Sequence, residues 1–295
     1  MKHLILLALT AFLFSCSGAK KVIENSPKEQ PKEIVASPVE TTPEVVIETP
    51  IKVVETELEI ETEEIIETAD VIKHETIIAN PETFNHEAWN SLLQDYVSDA
   101  GNVNYKDLKS NRKKLTNYIA SLSDNMPNDT WKKEDKLAYW MNAYNAMTVD
   151  LILRNYPLQS IKDIKDPWDQ RLWKLDNKWY NLEEIEHQIL RKMDEPRIHF
   201  GIVCASFSCP KLQNEAFTAS NLEMQLTNAT REFLADKNRN IISKNTLKLS
   251  KIFKWFKKDF EQNGSLIDFL NTYSDISISE KANKSYLDYN WDLND

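Results

Sequence analysis

Hydrophobic and polar positions divide the chain into three stretches. Leu4 to Phe14 is a short apolar run behind a basic start, Lys2 and His3. It is too short to span a bilayer as a stable helix, and it has the layout of an export signal. From residue 19 to 82, Val and Ile alternate with Glu, Thr and Pro, without one aromatic residue. From residue 83 onward, apolar positions recur at regular spacing. Trp89, Leu92, Leu93, Tyr96 and Val97 predict a helix over 84–98, and a second amphipathic helix follows over 105–122. Residues 130–156 predict the dominant helix. It is apolar nearly all round from Leu137 to Leu153, so its middle should be buried, and Pro157 should stop it.

The rest of the pattern is shorter. Residues 171–182, with Asp176-Asn177 between aromatic-rich arms, predict a hairpin. A helix is expected over 182–193 and a short buried strand over 198–204. Another helix is expected over 220–235, a hairpin over 240–250, and helices over 251–262 and 265–273. A final strand and turn close the domain. No internal repeat is visible. The pattern predicts one helix-rich α+β domain, with a small and mostly antiparallel sheet, over residues 83–295.

Charge sharpens these boundaries. Residues 19–82 carry 16 acidic and 6 basic side chains, a net of −10; residues 83–295 carry 30 and 29. The acidity belongs to the middle stretch. Lacking aromatics, it cannot bury much surface, and it reads as an extended tether with a reach on the order of 45 Å. The simplest job for it is to link a membrane anchor to the domain; the sharper alternative is an interaction tail for a basic partner. The near-neutral domain gives no reason to expect nucleic-acid binding. Its three glycines, Gly101, Gly201 and Gly264, cannot supply a phosphate-cradling loop, so no nucleotide is expected either.

The first apolar run ends Leu13-Phe14-Ser15-Cys16. A small residue before a cysteine at this place resembles a bacterial lipoprotein box. The resemblance implies a signal peptide over 1–15, cleavage before Cys16, and acylation there, with palmitate-type chains on its thiol and new amine. Residues 16–82 would then be the acylated cysteine and its tether. Several buried acyl chains anchor stably. The expected location is the cell envelope, lipid-anchored at the outer membrane, with the domain facing either the periplasm or the cell surface. The alternative is an ordinary secretory signal with Cys16 incidental.

Candidate chemistry concentrates in Asp194 to Leu212, which holds His199, Cys204 and Cys209. These are the residue types most often used for nucleophilic or metal chemistry near neutral pH. On an extended strand His199 and Cys204 would lie roughly 16 Å apart with side chains on opposite faces, so they could not act together unless the strand breaks between them. Cys209 is expected to be better placed. The chain must turn through 205–208, and Pro210 suits a first helical position, which would put Cys209 at a helix N-terminus, where thiol pKa values fall. The catalytic reading is therefore Cys209 as nucleophile, His199 as base or acid, and Asn142 or Asn145 as orienting or oxyanion group. Tyr144, Arg197, Ser206 and Ser208 are candidate binding residues around them. Gly201, lacking a side chain, would leave room beside the imidazole.

Competing readings stay open. In an oxidising compartment Cys204 and Cys209 could close a small disulfide. They could also be two buried free thiols or, with His199, zinc ligands, although the spacing matches no common zinc pattern. Asn142 and Asn145 could simply satisfy nearby backbone groups. His86 and His187 are expected at the surface or rim. Trp168, Trp173, Trp179, Tyr180 and Trp255 could form a sugar- or peptide-binding face, or serve as core and cross-strand pairs. No cofactor and no metal are expected.

Several segments together carry a resemblance. They are residues 137–146 (LAYWMNAYNA), 196–200 (PRIHF), 204–210 (CASFSCP), 249–256 (LSKIFKWF) and 289–294 (YNWDLN). In this order they resemble the bacterial and plant family called domain of unknown function 547, across most of 84–295. The resemblance implies a single α+β domain and no settled activity. A more distant likeness is to papain-like and transglutaminase-like folds, in which a buried helix packs against a sheet bearing a catalytic histidine; that likeness is a fold-level analogy. Two function classes follow. One is a tethered envelope domain binding a peptide, glycan or protein partner near His199. The other is a cysteine-dependent hydrolase or acyl transferase using Cys209 and His199.

Overall fold

One helix organises the domain. In the computed structural model, which describes residues 83–295, α4 runs from Lys133 to Asn155, and every residue from Leu137 to Leu153 is buried. Glu134 and Asp135 in its first turn and Arg154 in its last complement the helix dipole. Burial on all sides requires partners all round. They are α1 (Glu87–Tyr96), α2 (Tyr105–Ser110) and α3 (Arg112–Ser123), the hairpin β1 (Trp173–Leu175) and β2 (Lys178–Tyr180), and the helical stretch that begins at α5 (Leu182–Glu184). Asp150, fully buried on α4, is held by Arg112, Arg154 and the Trp173 indole at 2.7–2.9 Å, so its charge is paired.

The remaining elements form a second core. They are α7 (Leu222–Ala235), β3 (Ile241–Ile242), β4 (Thr246–Leu249), α8 (Ile252–Trp255), α9 (Lys257–Phe260), α10 (Leu266–Tyr273) and β5 (Asn283–Tyr286). Strands β3 and β4 pair antiparallel; β4 and β5 pair parallel, Leu247 opposite Lys284. The architecture is α+β, as expected, with sheets of two and three strands. The expected 105–122 helix is broken at Asn111, whose N–H returns to Leu108 and Lys109. The expected 251–262 helix is two single turns, α8 and α9.

The expected strand at 198–204 is the main correction. Ile198–Gly201 is a single helical turn, α6, followed by extended chain. Its apolar run favours a strand, but Pro196 sits in the opening turn, where its missing N–H costs nothing, and Glu195 accepts the Arg197 N–H at 3.1 Å. Asn145 then ends the turn: its amide donates to the Gly201 carbonyl at 2.8 Å and accepts the Val203 N–H at 2.9 Å. This one turn joins the two cores. Ile198 and Ile202 pack with the α4 side, Phe200 with the phenylalanines of α7 to α9.

The closing segment straps the site together. Phe207 and Ser208 donate their N–H groups to the carbonyls of Asp292 and Asn290, and Leu293 donates to Gln159. Tyr289 is thereby carried against Cys204 and Ser206, and Trp291 against Trp255. The export signal, Cys16 and the acidic tether lie outside the described residues. Among the described residues no helix is long and apolar enough to cross a membrane.

Candidate functional site

The helical stretch after the first hairpin does not stay α-helical. It passes into a π turn, Ile185–Ile189, and then a tighter 3₁₀ turn, Leu190–Met193. Wide π turns recur at functional sites because they redirect side chains. Here the turn places Glu186 and His187, neighbours in sequence, on one cavity of about 180 Å³. The same cavity is lined by Tyr144 from α4, by His199, Cys204 and Cys209, and by Trp168, Trp255, Phe256, Tyr289 and Trp291. The helical turn at 198–201 breaks the strand that would have separated His199 from Cys204, and both face this space.

A charged relay backs His199. Its Nε2 lies 2.8 Å from Asp259 Oδ2. Arg191 donates to both oxygens of Asp259, at 2.6 and 2.7 Å, and through its third nitrogen to His187 Nδ1 at 2.6 Å. Burial alone would push the Asp259 carboxyl up, but hydrogen bonds from His199 and Arg191 outweigh it and hold the group below the usual carboxylate range. Burial pushes His199 down despite Asp259. Asp259 is therefore the anion and His199 the neutral imidazole, with its proton on Nε2, facing the carboxylate. Nδ1 is left as a bare acceptor, and no described group donates to it. Phe256 stacks on the ring at 3.9 Å and fixes its plane.

The two thiols are unbonded and unequal. Their sulfurs lie 3.2 Å apart, in hydrogen-bond contact. Cys209 is buried; Cys204 is partly open to the cavity. The hydrogen bond between the two sulfurs draws the Cys204 pKa down against burial, helped by Ser206 and Tyr289, whose hydroxyls lie 3.1 and 3.3 Å from the Cys204 sulfur. Burial and the neighbouring Cys204 push Cys209 up well above the usual thiol range. The helix expected at Pro210 does not form, so no helix N-terminus acts on Cys209. Instead its sulfur accepts the Cys204 N–H at 3.0 Å. By its opening on the cavity and the direction of its pKa shift, Cys204 is the better candidate nucleophile of the two. Tetrahedral zinc wants four ligands, and no metal-holding cluster exists among the described residues.

The other anticipated residues separate into two groups. Tyr144 reaches the cavity and donates to Glu186 at 3.0 Å, and Ser206 touches the Cys204 sulfur. Asn142 and Asn145 lie off the cavity and close backbone pairs, Asn142 with both the N–H and carbonyl of Phe217 at 3.0 and 2.7 Å. Ser208 accepts the Asn290 N–H. Arg197 forks onto Glu195 and Glu223 in a separate depression. A Cβ at Gly201 would meet Met141 at 2.2 Å and Phe217 at 2.9 Å, so the missing side chain makes room for the core and not for the imidazole. His187 is a rim residue, whereas His86 is buried and bonded to Tyr118 at 2.7 Å. Of the aromatic set, Trp168 and Trp255 line the cavity. Trp173 and Tyr180 are a cross-strand pair in the core, and Trp179 is exposed elsewhere.

Glu186, Arg191, Asp259, Tyr289 and Trp291 escaped the sequence reading. A signal for two of them was present. Leu182, Ile185, Glu186, Ile189 and Leu190 follow the i, i+3, i+4, i+7, i+8 stripe, as do Ile252, Trp255, Phe256, Asp259 and Phe260. Each stripe carries one carboxylate where an apolar residue belongs.

Residues 128–234 match the model of the family described as "Protein of unknown function, DUF547". The match supports the resemblance to domain of unknown function 547 over that segment, which includes α4, the π turn, His199 and both thiols. Asp259, Tyr289 and Trp291 lie beyond it. No curated protein and no solved structure matches the chain.

Proposed function

We propose that the domain is a cysteine-dependent acyl hydrolase or acyl transferase, carried on an envelope lipoprotein anchored through Cys16. The observation that carries this reading is the pairing, on one cavity, of a partly exposed thiol of lowered pKa with a neutral histidine held by a carboxylate. These are the parts of a nucleophile, base and orienting group. The Cys204 sulfur is hydrogen-bonded to Cys209, Ser206 and Tyr289 and not to His199, so in this reading its proton crosses the shared cavity to His199 Nδ1 as the sulfur attacks a carbonyl carbon. The Tyr289 hydroxyl beside the sulfur, itself hydrogen-bonded by Ser206 at 3.1 Å, is placed to donate to the oxyanion. The imidazolium, stabilised by Asp259, returns the proton to the leaving amine or alcohol. Water or a second amine then takes the acyl group from sulfur.

The test is acylation by an activated ester such as p-nitrophenyl acetate, read by nitrophenol release and by mass mapping of the full-length chain. A burst with the acetyl group on Cys204, absent in Cys204→Ala, is expected. Equal acylation of Cys204→Ala, or acylation only at other residues, overturns the reading.

A second reading, a non-catalytic domain binding an envelope peptide, glycan or protein, draws support from the aromatic mouth. Trp255 is 46% exposed and stacks on Trp291 at 5.9 Å, with Tyr289 at 4.9 Å. Tight binding of such a ligand, with neither acylation nor turnover, would favour it.

A further inference from the structure

The relay accounts for most of the charge around the cavity and leaves one group over. Arg191 is committed to Asp259 and His187. Arginine can only donate, so His187 Nδ1 accepts the Arg191 N–H. Glu186 has no direct ion pair of this kind among the described residues; His187 and Arg191 act on it only at longer range. It is 9% exposed, and its Oε2 accepts one neutral hydrogen bond from Tyr144. No described group donates to Oε1. The sealed unpaired side-chain atoms of the described core are Trp89 Nε1 and Thr148 Oγ1; Glu186 Oε1 is not one of them and opens on the cavity. Burial raises the pKa of this carboxyl, and a cation bound at its free oxygen would hold it ionised.

The walls agree with that charge. Trp168, Trp255, Tyr289 and Trp291 line the same space, and aromatic rings attract cations, as Lys162 shows 5.1 Å over Trp291. The thiolate form of Cys204 would add a second uncompensated negative charge. A volume of about 180 Å³ is below the ~300 Å³ of a drug-sized pocket, so it admits a short chain and not a whole ligand.

We infer that this cavity receives a primary ammonium group on a short alkyl chain, with Glu186 as its anchor and the tryptophan rings along the chain. The inference rests on the acyl-transfer reading in one respect: it makes the preferred substrate, or the acyl acceptor, an amine-bearing compound such as a peptide with a free amino group. Glu186 is then a specificity residue, and its carboxylate takes no part in bond making.

Charge-matched thiol reagents test this without any substrate. In the full-length chain carrying Cys16→Ser and Cys209→Ser, where Cys204 is the one remaining thiol, Cys204 is treated with three methanethiosulfonates bearing ammonioethyl, hydroxyethyl or sulfonatoethyl groups. In each, the thiolate attacks the reagent's sulfenyl sulfur and methanesulfinate leaves. The ammonium-to-hydroxyl rate ratio, normalised to the same ratio in the urea-unfolded chain, is expected to be about tenfold or more. Glu186→Gln should bring it close to one. Tyr144→Phe, which keeps the carboxylate, should preserve it. A ratio near one in the parent chain, or a ratio unchanged by Glu186→Gln, overturns the inference. Should Glu186→Gln not fold, protection of Cys204 by n-butylammonium decides the matter: protection without a matching effect of n-butanol supports the anchor, and equal protection by both refutes it. If the ester assay shows no acyl-enzyme yet the ratio stands, the catalytic reading fails and the ammonium site survives.

Discussion

His86 and His199 are both buried, 4% and 3% exposed, and each makes one short hydrogen bond from its ring. Burial lowers the pKa of both. The difference lies in what stands behind each ring. His86 meets the Tyr118 hydroxyl inside a cage of Phe84, Tyr118 and Tyr139, with no ion pair among the described residues. His199 meets an anion clamped by an arginine, and it lines a cavity that Cys204 also lines. A depressed histidine pKa therefore identifies burial. A carboxylate behind and a nucleophile in front are what distinguish a reactive histidine from a packing one.

The sharpest way to break this comparison is Asp259→Asn. The amide can donate to His199 Nε2 and turn the imidazole to the wrong tautomer, so acylation of Cys204 by the activated ester should fall about 100-fold or more. His86→Gln, which can still accept from Tyr118, should leave the acylation rate within about twofold. An equal loss in both variants would mean that the two rings differ in nothing catalytic.

The same pair can be separated by pH. His86 falls from 6.5 to about 4 on folding. Above pH 6.5 both folded and unfolded chains hold it neutral. Between 6.5 and about 4 the unfolded chain takes a proton that the fold refuses, so stability drops as pH falls through this window and stops dropping below it. The expected loss is on the order of 3 kcal/mol. His199 shifts in the same direction and adds to the slope. Asp259 acts lower: its folded pKa is depressed, so its contribution is intact above about 4 and is lost as pH falls further. Urea denaturation from pH 8 to 4 should show the slope, and His86→Gln should flatten part of it. An unaltered slope in that variant would show that His86 is not the group taking up the proton.

Legibility followed the same division. The long buried helix and both hairpins were readable because each fills its own period: apolar on all faces for α4, Asp176-Asn177 between aromatic arms for the hairpin. Residues 198–201 were misread because Ile, Phe and Val favour a strand locally, and only the distant Asn145 side chain and the preceding Pro196 make the turn helical. Proline was the right signal at the wrong place: Pro196 opens a turn and Pro210 does not. His199 and the thiols stood out by residue type. Asp259 and Tyr289 did not, because they reach the site from about 60 and 80 residues away and their meaning depends on who meets them. The tether and Cys16, read from composition and a short motif, remain proposals.

A smaller effect probes the floor beneath the site. Gly201 ends α6, two residues past His199, and its backbone lies so close to α4 that a methyl group would sit 2.2 Å from Met141 Cε. The Met141 tip can move; the Phe217 ring at 2.9 Å is held by neighbours on both sides of a buried chain. Gly201→Ala should cost about 1–3 kcal/mol by overpacking and tilt the turn that carries His199. The acylation rate should then fall more than in a variant equally destabilised near His86. If both fall together in step with stability, the placement of His199 is not sensitive to this contact.

The smallest effect concerns the aromatics. Trp179 and Trp255 have nearly the same exposure, 52% and 46%, yet Trp255 lines the cavity and stacks against Trp291, while Trp179 lies on the outer strand of a hairpin. Trp179→Ala should change stability by no more than about 0.5 kcal/mol and leave Cys204 labelling untouched. Trp255→Ala removes a cavity wall whose ring is already half in solvent, so its stability cost should also be modest. Its effect should appear in reactivity: the preference of Cys204 for the ammonium reagent should fall by a few-fold, the size of one exposed cation–π contact of about 0.5–1 kcal/mol. A preference equally altered by both substitutions would mean that the tryptophans act through the general surface. A preference altered by Trp255→Ala alone would make exposure beside the cavity, and not exposure itself, the property that matters.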